Sequence, residues 1–289
     1  MAAQLISLPE VERLSPTCIR ILGGNSGKFT LQGTNTYLLG TGSTRLLIDT
    51  GEGKPSWIAA LKKTLADEQA TIKSALLTHW HHDHIQGAGD LLEHSPDTAI
   101  YKCDPHEGWL DIKDGQTFEV EGATLTAVYT PGHTTDHMAF VLRDENALFT
   151  GDNVLGYGTA VFEDLGTYLR SLEKMEKLDD VKGRAYPGHG PVIRNAKTTI
   201  REYISHRRER EDQVLQTLTS WKAAEGSRQV KGWTAMDLVK FIYKDYPESL
   251  FIPAMGGVVQ ILRKLQAEKK VVLLPGKDDR WSLEDRSSL

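Results

Sequence analysis

The chain has 289 residues, 39% apolar and 25% charged, with a formal net charge of −5. No apolar run approaches the roughly 20 residues that a membrane-crossing helix needs, so no such helix is expected, and the length leaves room for two packed units. The two cysteines, Cys18 and Cys103, give no disulfide framework and are read as free thiols of a reducing compartment, here the cytoplasm.

The first ten residues have neither a basic stretch nor a long apolar core, so no secretory signal is expected. Leu46-Leu47-Ile48 reads as a short strand ending on Asp49-Thr50-Gly51. Residues 55–66 have helical periodicity, with Ile58, Leu61 and Leu65 on one face. Residues 72–77 read as a buried strand. Directly after it comes Thr78-His79-Trp80-His81-His82-Asp83-His84. This is H-x-H-x-D-H: imidazoles and a carboxylate packed at a strand end, a donor set suited to a catalytic zinc-type site.

Matching donors recur at later strand ends. His133 follows the strand-like run 123–129 in Thr130-Pro131-Gly132-His133-Thr134. Asp152 follows Ala147-Leu148-Phe149 in Thr150-Gly151-Asp152, and His189 stands in Tyr186-Pro187-Gly188-His189-Gly190. Each is flanked by glycine or proline, which allow close backbone approach and stiffen turns. His82 is read as a solvated or packed side chain. His137 is read as structural or as support behind the ligands, and His94, His106 and His206 are placed outside the site. Residues 163–178 are predicted helical through Leu165, Leu169, Leu172 and Met175.

The pattern changes near residue 197. Residues 198–218 form a long charged amphipathic segment, Thr234 is placed to cap a following helix, and another helix is expected over 253–269. Residues 271–281 read as a hairpin with a polar turn. Helices followed by a hairpin suggest a winged-helix-like module, so the expected division is a catalytic domain over 1–196 and a C-terminal module over 197–289. Residues 1–196 carry a net charge of −9 and residues 197–289 a net of +4. A mildly basic module suits an acidic partner, an RNA or an acidic carrier protein, or is simply a solvated mixed-charge face. The ending Ser287-Ser288-Leu289 lacks the lysine of a peroxisomal Ser-Lys-Leu signal.

This order of motifs resembles the metallo-β-lactamase superfamily of hydrolases, over roughly residues 20 to 195. The resemblance implies a four-layer αββα sandwich (class α/β) with a dinuclear site at one edge. It assigns His79, His81 and His133 to one metal, Asp83, His84 and His189 to a second, and Asp152 to both. Asp49 supports the ligands from behind. Two divalent cations there would lower the pKa of a shared water and polarise a substrate oxygen. Asp83 is both a ligand and, if only one metal is loaded, the candidate catalytic base. Zinc is expected, with manganese and iron open on the same donors.

Within that resemblance Asp152 argues against a true β-lactamase, and the complete aspartate-bridged set is similar to thioesterases of the glyoxalase II type and to RNA-cleaving members. The stretch Leu31-Gln32-Gly33-Thr34-Asn35-Thr36-Tyr37-Leu38 and the winged-helix-like tail are similar to the β-lactamase-like protein 2 branch. Three segments are similar to the fungal lactamase-like thioesterases that partner non-reducing polyketide synthases, of the atrochrysone carboxyl carrier-protein type: residues 8–15, Gly51-Glu52-Gly53-Lys54-Pro55-Ser56-Trp57, and Gly151-Asp152-Asn153-Val154-Leu155-Gly156 with 158–162. The implied reaction is hydrolysis of a polyketide thioester on an acyl carrier domain, with Asn35 and Tyr157 as candidate substrate contacts. The alternative reading is a metal-dependent single-strand endoribonuclease. A third is a binding module with a vestigial site.

Overall fold

The computed structural model describes residues 5–224, 232–276 and 278–284. The ending 287–289 and the start of the N-terminal segment lie outside the described residues. Two compact units divide the chain, residues 1–203 and residues 204–289.

The first unit contains two sheets. A seven-stranded sheet runs in sequence order through β1 (Val11–Arg13), β2 (Cys18–Leu22), β3 (Asn35–Leu39), β4 (Thr44–Ile48), β5 (Thr71–Leu77), β6 (Ala99–Lys102) and β7 (Leu110–Asp111). It is antiparallel as far as β4 and parallel from β4 to β7. The parallel half needs crossovers. These are α1 (Pro55–Asp67) between β4 and β5, then α2 (His82–Ile85) and α3 (Ala88–His94) between β5 and β6. Pro55 opens α1, where its missing N–H leaves no bond unmade.

The second sheet is formed by β8 (Thr117–Val120), β9 (Ala123–Tyr129), β10 (Met138–Leu142), β11 (Ala147–Gly151) and β12 (Ala185–Pro187), in the order β12-β11-β10-β9-β8. Between β11 and β12 lies α4 (Leu165–Glu176), whose Leu165, Leu169, Leu172 and Met175 are all buried, as its period predicted. Asp164 caps it, accepting the Thr167 N–H at 2.7 Å.

The period-2 alternation of strands divides the core in two. Tyr37, Leu39, Leu46, Ile48 and Leu76 of the first sheet face Leu125, Ala127, Phe140, Leu142 and Phe149 of the second. Their neighbours Leu38, Leu47, Ala75 and Leu77 turn the other way, onto Trp57, Leu61 and Leu65 of α1 and Leu91 of α3. Helices outside and two sheets inside make an αββα sandwich. Trp57, not singled out from the sequence, is fully buried and donates its indole N–H to Thr36 Oγ1 at 2.9 Å.

The 29-residue α5 (Ala196–Ala224) starts in the first unit and continues into the second. The composition shift predicted a boundary at 197, whereas the compact units divide after Tyr203. The first turns of α5 explain the difference: Ala196, Ile200 and Tyr203 are buried, and the Tyr203 hydroxyl donates to the Gly158 carbonyl at 2.8 Å.

The second unit adds β13 (Trp233–Thr234), α6 (Ala235–Ile242), α7 (Phe251–Ala267), β14 (Val271–Leu274) and β15 (Arg280–Leu283), the strands in the order β13-β15-β14. Thr234 caps α6 in a reciprocal box with Asp237, each backbone N–H donating to the other's side chain at 3.1 Å. Leu238, Val258, Leu262, Leu265, Val271 and Trp281 are buried, and α6 packs on α7 and α7 on β14 in a winged-helix arrangement. No helix among the described residues is long and apolar enough to cross a membrane.

Candidate metal centre

Donor atoms of His79, His81, His133 and Asp152 lie within 4.8 Å of one another, and so do those of Asp83, His84 and His189. Every donor sits just beyond the C-terminal end of a strand or in the turn that follows. His79 and His81 follow β5, Asp83 and His84 lie in α2, His133 follows β9, Asp152 follows β11, and His189 follows β12. Asp152 faces both groups. Its Oδ2 stands 3.2 Å from His189 Nε2 and 3.7 Å from His133 Nε2, and its Oδ1 3.5 Å from His84 Nε2.

The outer nitrogens of these rings have partners that fix the tautomers. The Thr78 hydroxyl donates to the Asp49 carboxylate, so its oxygen accepts the Nδ1–H of His79 at 2.9 Å. His133 Nδ1–H donates to the Val161 carbonyl at 2.8 Å. Both inner Nε2 atoms are therefore lone pairs, and each lies 3.0 Å from His81 Nδ1. In the other group, His84 Nδ1–H donates to Asp49 Oδ2 at 2.7 Å, which turns Nε2 inward. His84 Nε2 and Asp152 Oδ1 are buried without a hydrogen-bond partner. Converging lone pairs and orphaned buried donors are costly unless a cation completes them. Five imidazoles and two carboxylates form a mixed N/O set suited to two borderline divalent cations. The residues fit the group that the sequence implied.

The electrostatics divide along the same line. Burial, then the neighbouring histidines, hold His79 well below the ordinary imidazole range, and burial with His133 lowers His81 to about 4. Burial alone would lower His84, but Asp49, Asp152 and Asp83 outweigh it and hold this imidazole well above its usual value. His189, against its burial, is raised to about 9 by Asp152 and Asp83. Burial would raise Asp83 and Asp152. His84 and His189 override it and keep both carboxyls far below the ordinary range.

Asp49 lies behind the site, buried, with φ of 58°, the left-handed region that an Asp tolerates better than most residues. Its Oδ1 also accepts the Thr78 N–H at 2.8 Å. Asp83 has a partner the sequence did not reveal: Thr34 donates its hydroxyl to Asp83 Oδ2 at 3.0 Å and accepts from Asn25 Nδ2 at 3.0 Å. Two glycines are required by close approach. A Cβ on Gly188 would meet Asp152 Oδ1 at 2.2 Å, and one on Gly151, φ +48°, would meet His137 Nε2 at 2.5 Å. The glycines flanking Asp152 and His189 were the visible signal for this crowding.

Asn35 departs from the expected substrate contact. It is fully buried on β3, and its Nδ2 donates to the carbonyls of Pro187 and Gly190, each at 2.9 Å. Both amide hydrogens are thus committed to holding the His189 turn, leaving none to steady an oxyanion. Tyr157 is 45% exposed, next to Gly156, whose N–H donates to the His189 carbonyl at 2.9 Å. Trp80, between two site histidines, is 42% exposed with its ring centroid 4.6 Å from that of His81. His82, His94 and His106 are exposed, and neither they nor His206 join either donor group. His137 is buried beside the site and belongs to neither group.

A sandwich of two sheets with seven His and Asp donors at its strand ends defines a hydrolase scaffold of the metal-binding αββα class. Residues 29–189 match the metallo-beta-lactamase superfamily, and residues 234–281 match the beta-lactamase associated winged helix domain. The chain belongs to the metallo-beta-lactamase superfamily. It is 47% identical over 275 residues to the lactamase-like protein adaB of Aspergillus niger, covering 93% of this chain and 86% of that one. It is 44% identical over 283 residues to the atrochrysone carboxyl ACP thioesterase of Aspergillus chevalieri, covering 96% and 91%. A metallo-beta-lactamase family protein of Thermus thermophilus shares the fold with a TM-score of 0.70 at 23% identity, covering 94% of this chain and all of that one.

Proposed function

We propose that this enzyme is a zinc-dependent thioesterase that releases a polyketide acid from the acyl carrier domain of a non-reducing polyketide synthase, in the cytoplasm. The observation that carries this reading is the complete seven-donor site with its central aspartate, on a chain that resembles a named carrier-protein thioesterase over nearly its whole length. In this reading His79, His81 and His133 would hold one cation and Asp83, His84 and His189 the other, with the Asp152 carboxylate within reach of both donor sets. Residues 1–196 carry the catalytic site, with the first turns of α5 packed onto that unit, and the remainder of residues 197–289 supplies a winged-helix module available to a protein partner.

Bound there, two divalent cations would lower the pKa of a water and polarise a carbonyl oxygen. The chain's own part is to orient and to move a proton. With only the first cation loaded, Asp83 Oδ2, held by the Thr34 hydroxyl, would be free to take the proton of the attacking water. Its pKa is kept far down by His84 and His189 as protonated neighbours. Cation binding requires neutral imidazoles, and the charge of a bound cation would then stand in place of theirs. The leaving thiol ionises near pH 8.5, so it departs with little protonation help. Trp80 and Tyr157, exposed beside His81 and His189, are the side chains proposed to meet the acyl group.

The test is thiol release from an acyl-carrier thioester by zinc-loaded protein, beside cleavage of a single-stranded RNA, each with and without chelator. Chelator-sensitive thiol release without RNA cleavage supports the reading. The reverse pattern replaces it with an endoribonuclease.

A further inference from the structure

His137 is a fully buried imidazole that neither donor group uses. We infer that it is a positioning residue that aims the Asp152 carboxylate between the two groups, acting through the Asp152 backbone. The inference rests on the metal-centre reading and goes beyond it.

Both ring nitrogens of His137 are occupied, which excludes it as a ligand. The Asp152 amide donates to Nε2 at 3.2 Å. An amide nitrogen donates only, so Nε2 is unprotonated, and the ring hydrogen lies on Nδ1. Nδ1–H then points to Thr130 Oγ1 at 2.9 Å, with Asn153 Nδ2 also 3.1 Å from Nδ1; of these two only the hydroxyl oxygen can accept it. The ring is packed against His79 with centroids 5.4 Å apart, inclined by 31°. A rigid, neutral acceptor is thus held at a fixed height beneath the chain at Asp152.

The chain is shaped to meet it. Gly151 takes φ of +48°, and any Cβ there would strike His137 Nε2. The Gly151 carbonyl accepts the Gly188 N–H at 2.8 Å. On the far side, Asn153 donates its amide to the Thr130 carbonyl at 2.8 Å and accepts the Tyr168 hydroxyl at its own carbonyl at 2.6 Å. Asp152 is therefore pinned before, at and after its own Cα, and the middle pin is His137. Its carboxylate reaches donors of both groups over gaps of 3.2 and 3.7 Å. A slack amide would let that carboxylate settle on one group alone. Productive sites are held to about 0.5 Å by such supporting contacts.

The test uses the full chain, stripped of metal and titrated with Zn²⁺ against a chromophoric chelator, then with Co²⁺ for its electronic spectrum. His137→Phe keeps the ring and removes the acceptor, while His137→Gln restores an acceptor oxygen. We expect two ions in the wild type, about ten- to a hundred-fold weaker binding of at least one ion in His137→Phe with an altered Co²⁺ spectrum, and partial recovery in His137→Gln. A packing role alone lowers the thermal midpoint of the metal-free protein and leaves affinity and spectrum unmoved, and that result overturns the inference. Should His137→Phe fail to fold, Thr130→Val, which removes the Nδ1–H acceptor, serves in its place, with unchanged Zn²⁺ affinity counting against the inference. A wild type that binds no Zn²⁺ sinks the metal-centre reading and this inference together. Normal wild-type binding with indifferent variants sinks only the inference.

Discussion

His84 donates its Nδ1–H to Asp49 Oδ2 across 2.7 Å, and both side chains are buried. The carboxylate fixes the imidazole's tautomer and aims its Nε2 into the centre. Because Asp49 sits at φ of 58°, asparagine tolerates the backbone and isolates the charge. Asp49→Asn is expected to weaken binding of the ion held by Asp83, His84 and His189 by about 10- to 100-fold while leaving the fold intact. Stoichiometric metal analysis after dialysis at limiting Zn²⁺ checks it; full occupancy in the variant contradicts it.

Metal-free protein should carry protons on His84, held well above its usual pKa, and on His189, raised to about 9. Ligands must be neutral imidazoles, so metal uptake near pH 7.5 releases protons, about two per chain. Affinity is then expected to rise with pH until His189 has titrated near 9. The sign for folding is opposite. A folded pKa above the unfolded value of about 6.5 stabilises the metal-free protein fully below that value, and the contribution is lost as pH rises through about 9. Calorimetry of Zn²⁺ binding in buffers of different ionisation enthalpy counts the protons. Uptake without release contradicts the assignment.

Gly188→Ala places a methyl 2.2 Å from Asp152 Oδ1 and 3.0 Å from His84 Cε1. Gly188 is not in the left-handed region, so steric conflict at the site is the whole effect. The variant should lose most of its bound metal and its hydrolytic activity, with a thermal midpoint close to that of metal-free wild type. Wild-type metal content in Gly188→Ala would show that the site is looser than these distances imply.

Trp80 exposes a large aromatic face beside His81, and Tyr157 is exposed next to Gly156, whose N–H donates to the His189 carbonyl. An aromatic pair contributes about 0.5–1.5 kcal/mol beyond its buried area. Trp80→Ala is therefore expected to raise KM for an aryl thioester by about ten-fold, with a smaller effect on an acetyl thioester. Steady-state thiol release with both substrates decides it. Equal losses for the two would remove Trp80 from acyl recognition.

Much of the centre was legible because its donors lie close in sequence or beside glycine and proline. His79, His81, Asp83 and His84 form one motif, and His133, Asp152 and His189 each close a strand. The helices over 55–66 and 163–178 were visible through their apolar period, and Thr234 through its capping chemistry. What the sequence hid are contacts between distant segments. Thr34 on Asp83, the Val161 carbonyl on His133 and the amide of Asp152 on His137 involve ordinary residue types, and only the order of strands within each sheet brings their loops together. Asn35 illustrates the opposite error. A polar residue in a glycine-rich stretch suggested a substrate contact, yet β3 buries it and uses its amide to hold the His189 turn.

The most direct test of the account is chelation and reconstitution of thioesterase activity. Full-length protein would be stripped of metal, assayed for thiol release from an aryl thioester carried on an acyl carrier domain, and assayed again after Zn²⁺ is restored, with Asp152→Ala alongside. The account predicts release by the native and reconstituted protein and none by the stripped protein or the variant. Thiol release that survives stripping, or that persists in Asp152→Ala, would contradict it.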